Sequence, residues 1–102
     1  MAKSAKKVRV GFIGCGGIAN FHFAHYDNNK IPDAQITAVC DLLDDRVQKA
    51  ATRFGATPYK DYKEILSKEK LDTVYVCVEP CAHKGMELMA IEKGCHLFVE
   101  KP

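Results

Sequence analysis

The sequence contains no long apolar run. None of its segments approaches the roughly 20 apolar residues that a membrane-spanning helix requires, and the N-terminus lacks the apolar stretch of a secretory signal peptide. Internal repeats and low-complexity stretches are absent as well. These absences predict a protein that has no membrane partner, and a cytoplasmic location is the simplest expectation.

The sequence also lacks a strong excess of either charge. The 15 basic and 13 acidic residues leave a net charge of +2 at pH 7. Part of this excess lies in the basic segment 1–7, which has neither aromatic interleaving nor a long basic run. An arm for nucleic acid or anionic lipid is one interpretation of that segment. A frayed, solubilising tail is the favoured one, so we expect no nucleic-acid partner.

The five cysteines do not have the spacing of a disulfide framework or a zinc site. Their number is odd, and three of them lie in or beside apolar, strand-like runs. Cys77 and Cys81 are close in sequence, but no second pair supplies the other ligands that zinc needs. We expect no disulfide and no metal site, with buried cysteine acting as a small hydrophobe. A redox role for Cys77 and Cys81 is the weaker alternative.

The remaining composition is that of one folded domain. A length of 102 residues allows a real core, and 47% apolar with 27% charged residues is ordinary for a globular chain. Apolar runs and helical patterns then alternate from end to end. The predicted strands are Val8–Ile13, 36–40, 57–59, 74–78 and 96–99. The predicted helices are 17–28, one from Asp44 to just before Gly55, one from Tyr62 with Asp61 as its N-cap, and 82–93.

This alternation predicts an α/β fold. Strands separated by helices form a parallel sheet with right-handed crossovers and helices on both faces. The run 74–78 is almost continuously apolar, as expected of a parallel strand that is covered on both sides. We therefore predict a three-layer Rossmann domain over residues 8–102, a doubly wound sheet in the strand order 3-2-1-4-5.

A glycine-rich turn follows the first predicted strand. Gly14, Gly16 and Ala19 fit the pattern G-x-G-x-x-[GA], directly after a strand and at the opening of a helix. Gly14 permits a sharp turn, Gly16 lets the backbone approach a pyrophosphate, and Ala19 allows the helix to pack closely on the strand. The N–H groups around Gly17 and Ile18 would face the phosphates. A nucleoside triphosphate loop would instead carry G-K-[ST].

An acidic residue ends the second predicted strand. Asp41 lies 22 residues beyond Ala19, and it can accept hydrogen bonds from both hydroxyls of an adenosine ribose while repelling a 2'-phosphate. This favours NAD over NADP. The alternative is a solvated aspartate or a cap for the next helix. Leu42 follows, not an arginine, and Arg46 is the one possible exception to the preference for NAD.

Two further loops should border the same edge of the sheet. In a doubly wound sheet the ligand crosses the carboxyl ends of the strands, at the switch point between the first and fourth strands. The loops 78–83 and 100–102 follow the fourth and fifth predicted strands. The residues predicted to line the cofactor site there are Val78, Glu79, Pro80, His83, Glu100 and Lys101.

Taken together, these motifs resemble the Gfo/Idh/MocA family, named for glucose-fructose oxidoreductase, inositol dehydrogenase and rhizopine catabolism. The family pattern is G-x-G-x-[IM]-[AG] after a strand, a strand ending in Asp, a D-x-V-x-[VI] strand, a P-x-x-H turn and E-K-P. These elements correspond to residues 14–19, Asp41, 72–76, 80–83 and 100–102. The E-K-P segment is the most specific of them, and the likeness runs from about Val8 to the last residue.

The resemblance implies roles for single residues. Lys101 would contact the nicotinamide ribose and the reacting oxygen, Glu100 would help to shape the nicotinamide pocket, and His83 would lie beside the cofactor. A cation suits this place, because hydride transfer at carbon requires a proton to move on or off the attached oxygen. His22 matches a histidine that is frequent in the family's first helix, but a surface or packing role is favoured for it over a catalytic one.

The chain departs from the family at one point. Many members have Thr-Pro-Asn before the turn histidine, whereas this sequence has Glu79, Pro80 and Cys81. The polar cofactor contacts of that threonine and asparagine are therefore in doubt here. Glu79 either replaces one of them or points to water.

The resemblance also implies a function. Family members are NAD(P)-dependent enzymes that act on sugars, inositols and related alcohols or carbonyls, and a second, sheet-based domain holds the substrate. That domain is absent from this chain, so we expect the isolated chain to bind cofactor weakly and to be inactive, and the parent enzyme to be a homo-oligomer. The alternative is a regulatory module that senses nicotinamide dinucleotides without catalysis.

Overall fold

A computed structural model describes residues 8–27, 31–78 and 85–99 of the chain. Strands and helices alternate through it, as the sequence pattern predicts. The strands are β1 (Val8–Ile13), β2 (Ala34–Cys40), β3 (Thr57–Tyr59), β4 (Thr73–Val76) and β5 (His96–Val99). The helices are α1 (Gly17–Phe23), α2 (Asp44–Phe54), α3 (Tyr62–Lys68) and α4 (Met86–Glu92). The predicted tail 1–7 lies outside the described residues.

All five strands run parallel, in the order β3-β2-β1-β4-β5. This confirms the predicted topology, with its switch point between β1 and β4. Ile13 is level with Cys40 on one side and with Val76 on the other. The carboxyl ends of three strands therefore meet at one level, which is where a doubly wound sheet binds its ligand.

Two separate cores hold helices on the two faces of the sheet. On one face Phe12 of β1 and Ile36 of β2 pack against Phe23 of α1 and Val47 of α2. The opposite core joins β1, β2 and β4 to α3 and α4 and contains Ile13, Ala38, Ile65, Val74, Val76 and Ala90. Each of these ten side chains is at most 3% exposed. The chain is thus the three-layer Rossmann-like fold that the sequence predicts.

Three predicted boundaries were wrong. Helix α1 ends at Phe23 and not near residue 28, because His25 and Tyr26 bond to carbonyls only three residues back and tighten the chain into turns. Strand β4 ends at Val76 and not at Val78, because the neighbouring strand β1 ends at Ile13 and turns away at Gly14. The helix α4 was predicted over 82–93. Within the described part of that range, 85–93, it spans only Met86–Glu92.

Within the residues that the structure describes, none of the helices combines the length and apolarity that a bilayer span requires. Each of the four helices packs on the sheet through a few side chains and leaves its other face open. In α2, for example, Val47, Ala50 and Ala51 are buried, while Asp44 and Asp45 stand exposed in the first turn. The acidic first turn complements the positive end of the helix dipole.

Candidate functional site

The glycine-rich turn follows β1 and lies against the residues that follow β4. Gly14 has a φ of +99°, and a Cβ atom built on it would lie 2.6 Å from the Cys77 carbonyl oxygen and 2.8 Å from Cγ1 of Val78. Both distances are shorter than real Cβ contacts allow. Only glycine fits, because it tolerates positive φ and has no side chain to collide with the β4 loop.

Backbone hydrogen bonds join this turn to the neighbouring strand ends. The N–H of Gly14 donates to the Cys40 carbonyl at 2.7 Å, and the N–H of Cys77 donates to the Ile13 carbonyl at 2.8 Å. The turn is therefore tied to β2 on one side and to β4 on the other. These bonds bring together the segments that the sequence predicts at the switch point.

Asp41 lies against the same turn and is half-buried. Its Oδ2 accepts a hydrogen bond from the Cys15 N–H at 2.8 Å, and its Oδ1 accepts one from the Leu43 N–H at 2.9 Å. An ionised carboxylate has about four lone-pair sites. Two of them therefore remain for a ligand, which is the number that a ribose diol requires.

The contact between Asp41 and Cys15 was missed by the sequence reasoning. It joins residues 26 positions apart, and no spacing rule encodes such a bond between a backbone N–H and a distant carboxylate. The Asp41 side chain also accepts from the N–H of Leu43, the N-cap residue of α2. Asp41 thus lies near the start of α2, as the alternative of a helix cap would predict. The carboxylate thus braces two loops and still has acceptor sites left.

The other residues of the glycine-rich motif lie at the start of α1. Gly16 is the N-cap residue of α1, and a Cβ added to Gly17 would meet nothing within 4 Å. Ile18 is 41% exposed, whereas Ala19 is fully buried in the core between β1 and α1. Burial of Ala19 is what the predicted close packing of helix on strand requires.

Two thiols are buried beneath the turn. The Cys15 Sγ donates to the Cys40 carbonyl at 3.5 Å. Burial raises the pKa of Cys15 to about 12, with a further contribution from the negative charge of Asp41, and burial raises the pKa of Cys40 to about 12 as well. Both thiols are therefore protonated at neutral pH, and a protonated thiol is a poor nucleophile and a poor metal ligand. Cys95 is also a free thiol.

Several predicted site residues fall outside the described part of the chain. They are Glu79, Pro80, His83, Glu100 and Lys101, together with Cys81. Their described neighbours, Val78 and Val99, both lie at the carboxyl edge of the sheet, since Val78 abuts Gly14 and Val99 pairs with Val76. The roles predicted for the five site residues remain predictions.

His22 is a packing residue in this structure. It is 9% exposed, and its ring centroid lies 5.2 Å from that of Tyr75 and 5.3 Å from that of Phe98. It lies between α1 and the strands β4 and β5, as the favoured interpretation of the sequence predicts. The catalytic alternative finds no support in this environment.

Known proteins of similar sequence and structure share this architecture. Residues 8–102 match the Gfo/Idh/MocA family, described as an oxidoreductase family with an NAD-binding Rossmann fold. An inositol 2-dehydrogenase/D-chiro-inositol 3-dehydrogenase from Shouchella clausii is 36% identical over 97 residues, which are 93% of this chain and 28% of that protein.

Two solved structures are similar as well. The WlbA dehydrogenase from Bordetella pertussis, in complex with NADH and UDP-GlcNAcA, has a TM-score of 0.84 at 25% identity and covers 95% of this chain and 30% of its own. A 3-ketoreductase from Actinomadura kijaniata, in complex with TDP-benzene and NADP, has a TM-score of 0.79 at 28% identity and covers 92% and 30%. The chain therefore spans less than a third of the length of these relatives.

The family match covers every element from β1 to β5 and every motif on which the resemblance depends. The glycine-rich turn, the aspartate that ends β2 and the β4 loop meet at one edge of the sheet, as such a domain requires. The chain belongs to the Gfo/Idh/MocA oxidoreductase family and forms its NAD-binding Rossmann domain.

Proposed function

We propose that this chain is the cofactor-binding part of a cytoplasmic enzyme that transfers a hydride between NAD(H) and a sugar, an inositol or a related alcohol or carbonyl. The observation that carries the proposal is the meeting of Gly14, Asp41 and Val78 at the level carboxyl ends of β1, β2 and β4. A relative named as an inositol dehydrogenase and a similar structure in complex with UDP-GlcNAcA support the substrate class. A regulatory module without catalysis has no comparable support.

The described residues fit a dinucleotide in two respects. The turn offers backbone without side chains at Gly16 and Gly17, where a diphosphate would approach the N–H groups near Ile18. Asp41 has two acceptor sites left for the adenosine ribose after bracing the turn. A cofactor held in this way would extend along the carboxyl edge towards Val78 and the loop that follows it.

The predicted chemistry belongs to the residues beyond β4 and β5. When bound, the nicotinamide ring supplies or accepts the hydride. Lys101 would lie beside the reacting oxygen, stabilise its developing negative charge, and hold or give up the proton that this oxygen gains or loses. Glu100 would shape the pocket, while Glu79, Pro80 and His83 would line the cofactor on the opposite side.

We also propose that a substrate domain follows this domain in a longer, homo-oligomeric enzyme. The support is the share of the relatives that the chain covers, 28% to 30% of their length. The domain boundaries would then be a tail at 1–7 and the Rossmann domain at 8–102. On this proposal the 102-residue chain binds cofactor weakly and does not turn over substrate.

Replacing Lys101 in the longer enzyme tests the proposal. Lys101→Ala should lower kcat at least about 100-fold, because general acid–base groups contribute about that much or more, while the Kd for NADH changes less than about threefold. Lys70→Ala is the matched control, since Lys70 is an exposed lysine between α3 and β4. Full activity of Lys101→Ala would contradict the catalytic assignment, and absence of turnover in the parent with polyols and sugars would contradict the enzymatic one.

A further inference from the structure

The side chain of Asn20 makes hydrogen bonds to the glycine-rich turn that the motif pattern does not require. Its Nδ2 donates to the Cys15 carbonyl at 3.1 Å and to the Gly16 carbonyl at 2.8 Å. An asparagine amide carries two N–H donors, so both of them are directed to the turn. Gly16 is the N-cap residue of α1, and Asn20 lies one helical turn beyond it.

These two bonds fix the direction in which the turn presents its N–H groups. A peptide unit is planar and trans, so its N–H points away from its C=O. The Cys15 carbonyl shares a peptide plane with the Gly16 N–H, and the Gly16 carbonyl shares one with the Gly17 N–H. By binding both carbonyls, Asn20 holds both N–H groups towards the other side. Successive N–H groups that point the same way bind anions.

Arg53 fixes the orientation of the Asn20 amide. Its Nη1 donates to the Asn20 Oδ1 at 3.1 Å, so a rotated amide would put its NH2 group against the guanidinium and its oxygen against the two turn carbonyls. The guanidinium is itself held, because it binds both carboxylate oxygens of Asp27 and its Cζ lies 5.5 Å from the ring centroid of Phe23. The contacts therefore run from a fixed cation near the end of α2, through Asn20, to the turn.

We infer that Asn20 is a positioning residue for the diphosphate of the cofactor, and that Arg53 acts through Asn20. Asn20 directs the N–H groups of Gly16 and Gly17, and Arg53 keeps Asn20 in the orientation that does so. Such preorganisation strengthens binding, because the turn does not have to reorder when the diphosphate arrives. This inference rests on the proposed function, which places a dinucleotide at this turn.

Titration of the 102-residue chain with two ligands tests Asn20. ADP-ribose carries the diphosphate, adenosine is the part of it without phosphate, and NMR chemical shifts measure weak binding of either. Asn20→Ala should weaken ADP-ribose binding about fivefold, the factor that corresponds to one typical hydrogen bond, and adenosine binding less than about 1.5-fold. Alanine preserves α1, since it is the best helix former. Gln48→Ala, which removes an exposed side-chain amide from α2, should change neither affinity.

A double-mutant cycle tests whether Arg53 acts through Asn20. Arg53→Lys keeps the positive charge but loses the fork that reaches Asp27 and Asn20 together. It should weaken ADP-ribose binding about threefold in the wild-type chain and less than about 1.5-fold in the Asn20→Ala chain, because the two residues share one path. An equal loss in both backgrounds would show that Arg53 acts without Asn20, and would overturn this part of the inference.

The outcomes separate this inference from the proposed function. If Asn20→Ala weakens ADP-ribose and adenosine by equal factors, the substitution disturbs the whole site and the positioning role is overturned. Unchanged binding of ADP-ribose would overturn it too, while leaving the domain a dinucleotide binder. If the folded wild-type chain, verified by circular dichroism, binds neither ligand, the proposed function and this inference fail together.

Discussion

Gly14 and Gly17 belong to one glycine-rich turn, but the structure places different demands on them. Gly14 has a φ of +99°, and backbone atoms of Cys77, just after β4, lie within 3 Å of any added Cβ, whereas the space around Gly17 is open. The motif pattern predicts glycine at Gly14 and does not prescribe it at Gly17. The difference gives a matched pair of substitutions within three residues.

We expect Gly14→Ala to lower the free energy of unfolding by about 3 kcal/mol, since it combines backbone strain with an overlap against the Cys77 carbonyl. Gly17→Ala should leave it unchanged or raise it by less than about 1 kcal/mol, because alanine favours a helix over glycine. Urea denaturation followed by circular dichroism measures both values. Equal effects of the two substitutions would show that the contact with β4 is not what requires glycine.

Asp41 offers a second prediction at the residue scale. Asn has a single acceptor oxygen, so Asp41→Asn cannot accept from both Cys15 and Leu43 and still serve a ribose. We expect an affinity for NADH about tenfold lower and a free energy of unfolding about 1 kcal/mol lower. Asp45→Asn, at an exposed position in the first turn of α2, removes the same charge. It should leave the affinity for NADH unchanged and lower the free energy of unfolding by about 0.5 kcal/mol at most, through the helix dipole. Wild-type binding and stability in Asp41→Asn would contradict both roles.

The sequence predicts the identity of these site residues better than their contacts. Gly14 and Asp41 stand out because each directly follows an apolar strand-like run, and Val78 stands out because it ends one. Parallel strands end at one edge of the sheet. Two contacts depend on how loops pack across the sheet. They are the hydrogen bond from Cys15 to Asp41 and the approach of Arg46 to Gly16. Spacing along the chain holds no information about either distance.

At the scale of elements, the bounds of a helix or strand were predicted correctly where the sequence itself marks its ends. The predicted bounds of β1, β3, α2 and β5 agree with the structure. For α2 the reasons are an acidic first turn, an apolar stripe and Gly55 in a left-handed conformation at its end. The predicted end of α1 was wrong because local three-residue turns replace the helix after Phe23. The predicted end of β4 was wrong because its neighbour β1 turns away at Gly14.

Helix α3 allows a test of such a local signal. The Asp61 side chain accepts a hydrogen bond from the Lys63 N–H at 2.8 Å, as expected of an N-cap residue. Asp61→Ala should lower the free energy of unfolding by about 1 kcal/mol, and Asp61→Asn, which keeps an acceptor, by less than half of that. Urea denaturation distinguishes the two variants. Equal losses would indicate that charge, and not capping, is what Asp61 contributes.

At the scale of the whole molecule, the buried thiols predict how stability changes in alkali. The pKa values of Cys15 and Cys40 rise from 9.0 to about 12 on folding. Between these values the unfolded chain has released protons that the folded chain still holds, so stability must fall as pH rises. This contribution is fully present below about pH 9. Hydrogen bonding to Glu69 raises the pKa of Tyr59 as well, which adds to the loss.

Denaturation midpoints measured from pH 8 upward should therefore decline above about pH 9. Replacing both Cys15 and Cys40 with alanine should make that decline shallower. An identical decline in the double variant would show that Cys15 and Cys40 do not cause it. As an independent check, alkylation near pH 8 followed by peptide mapping should modify Cys15 and Cys40 only as fast as the protein unfolds.

The common direction of the strands has a practical consequence. Every loop assigned to the cofactor leaves a carboxyl end, while Arg9 and Asp72 form their ion pair near the amino ends of β1 and β4. Lys70 lies two residues before Asp72. A fluorescent reporter or an affinity handle attached there would therefore lie at the amino edge of the sheet, opposite to the edge that carries the glycine-rich turn. The protein can therefore be labelled or immobilised there with the glycine-rich turn facing outward.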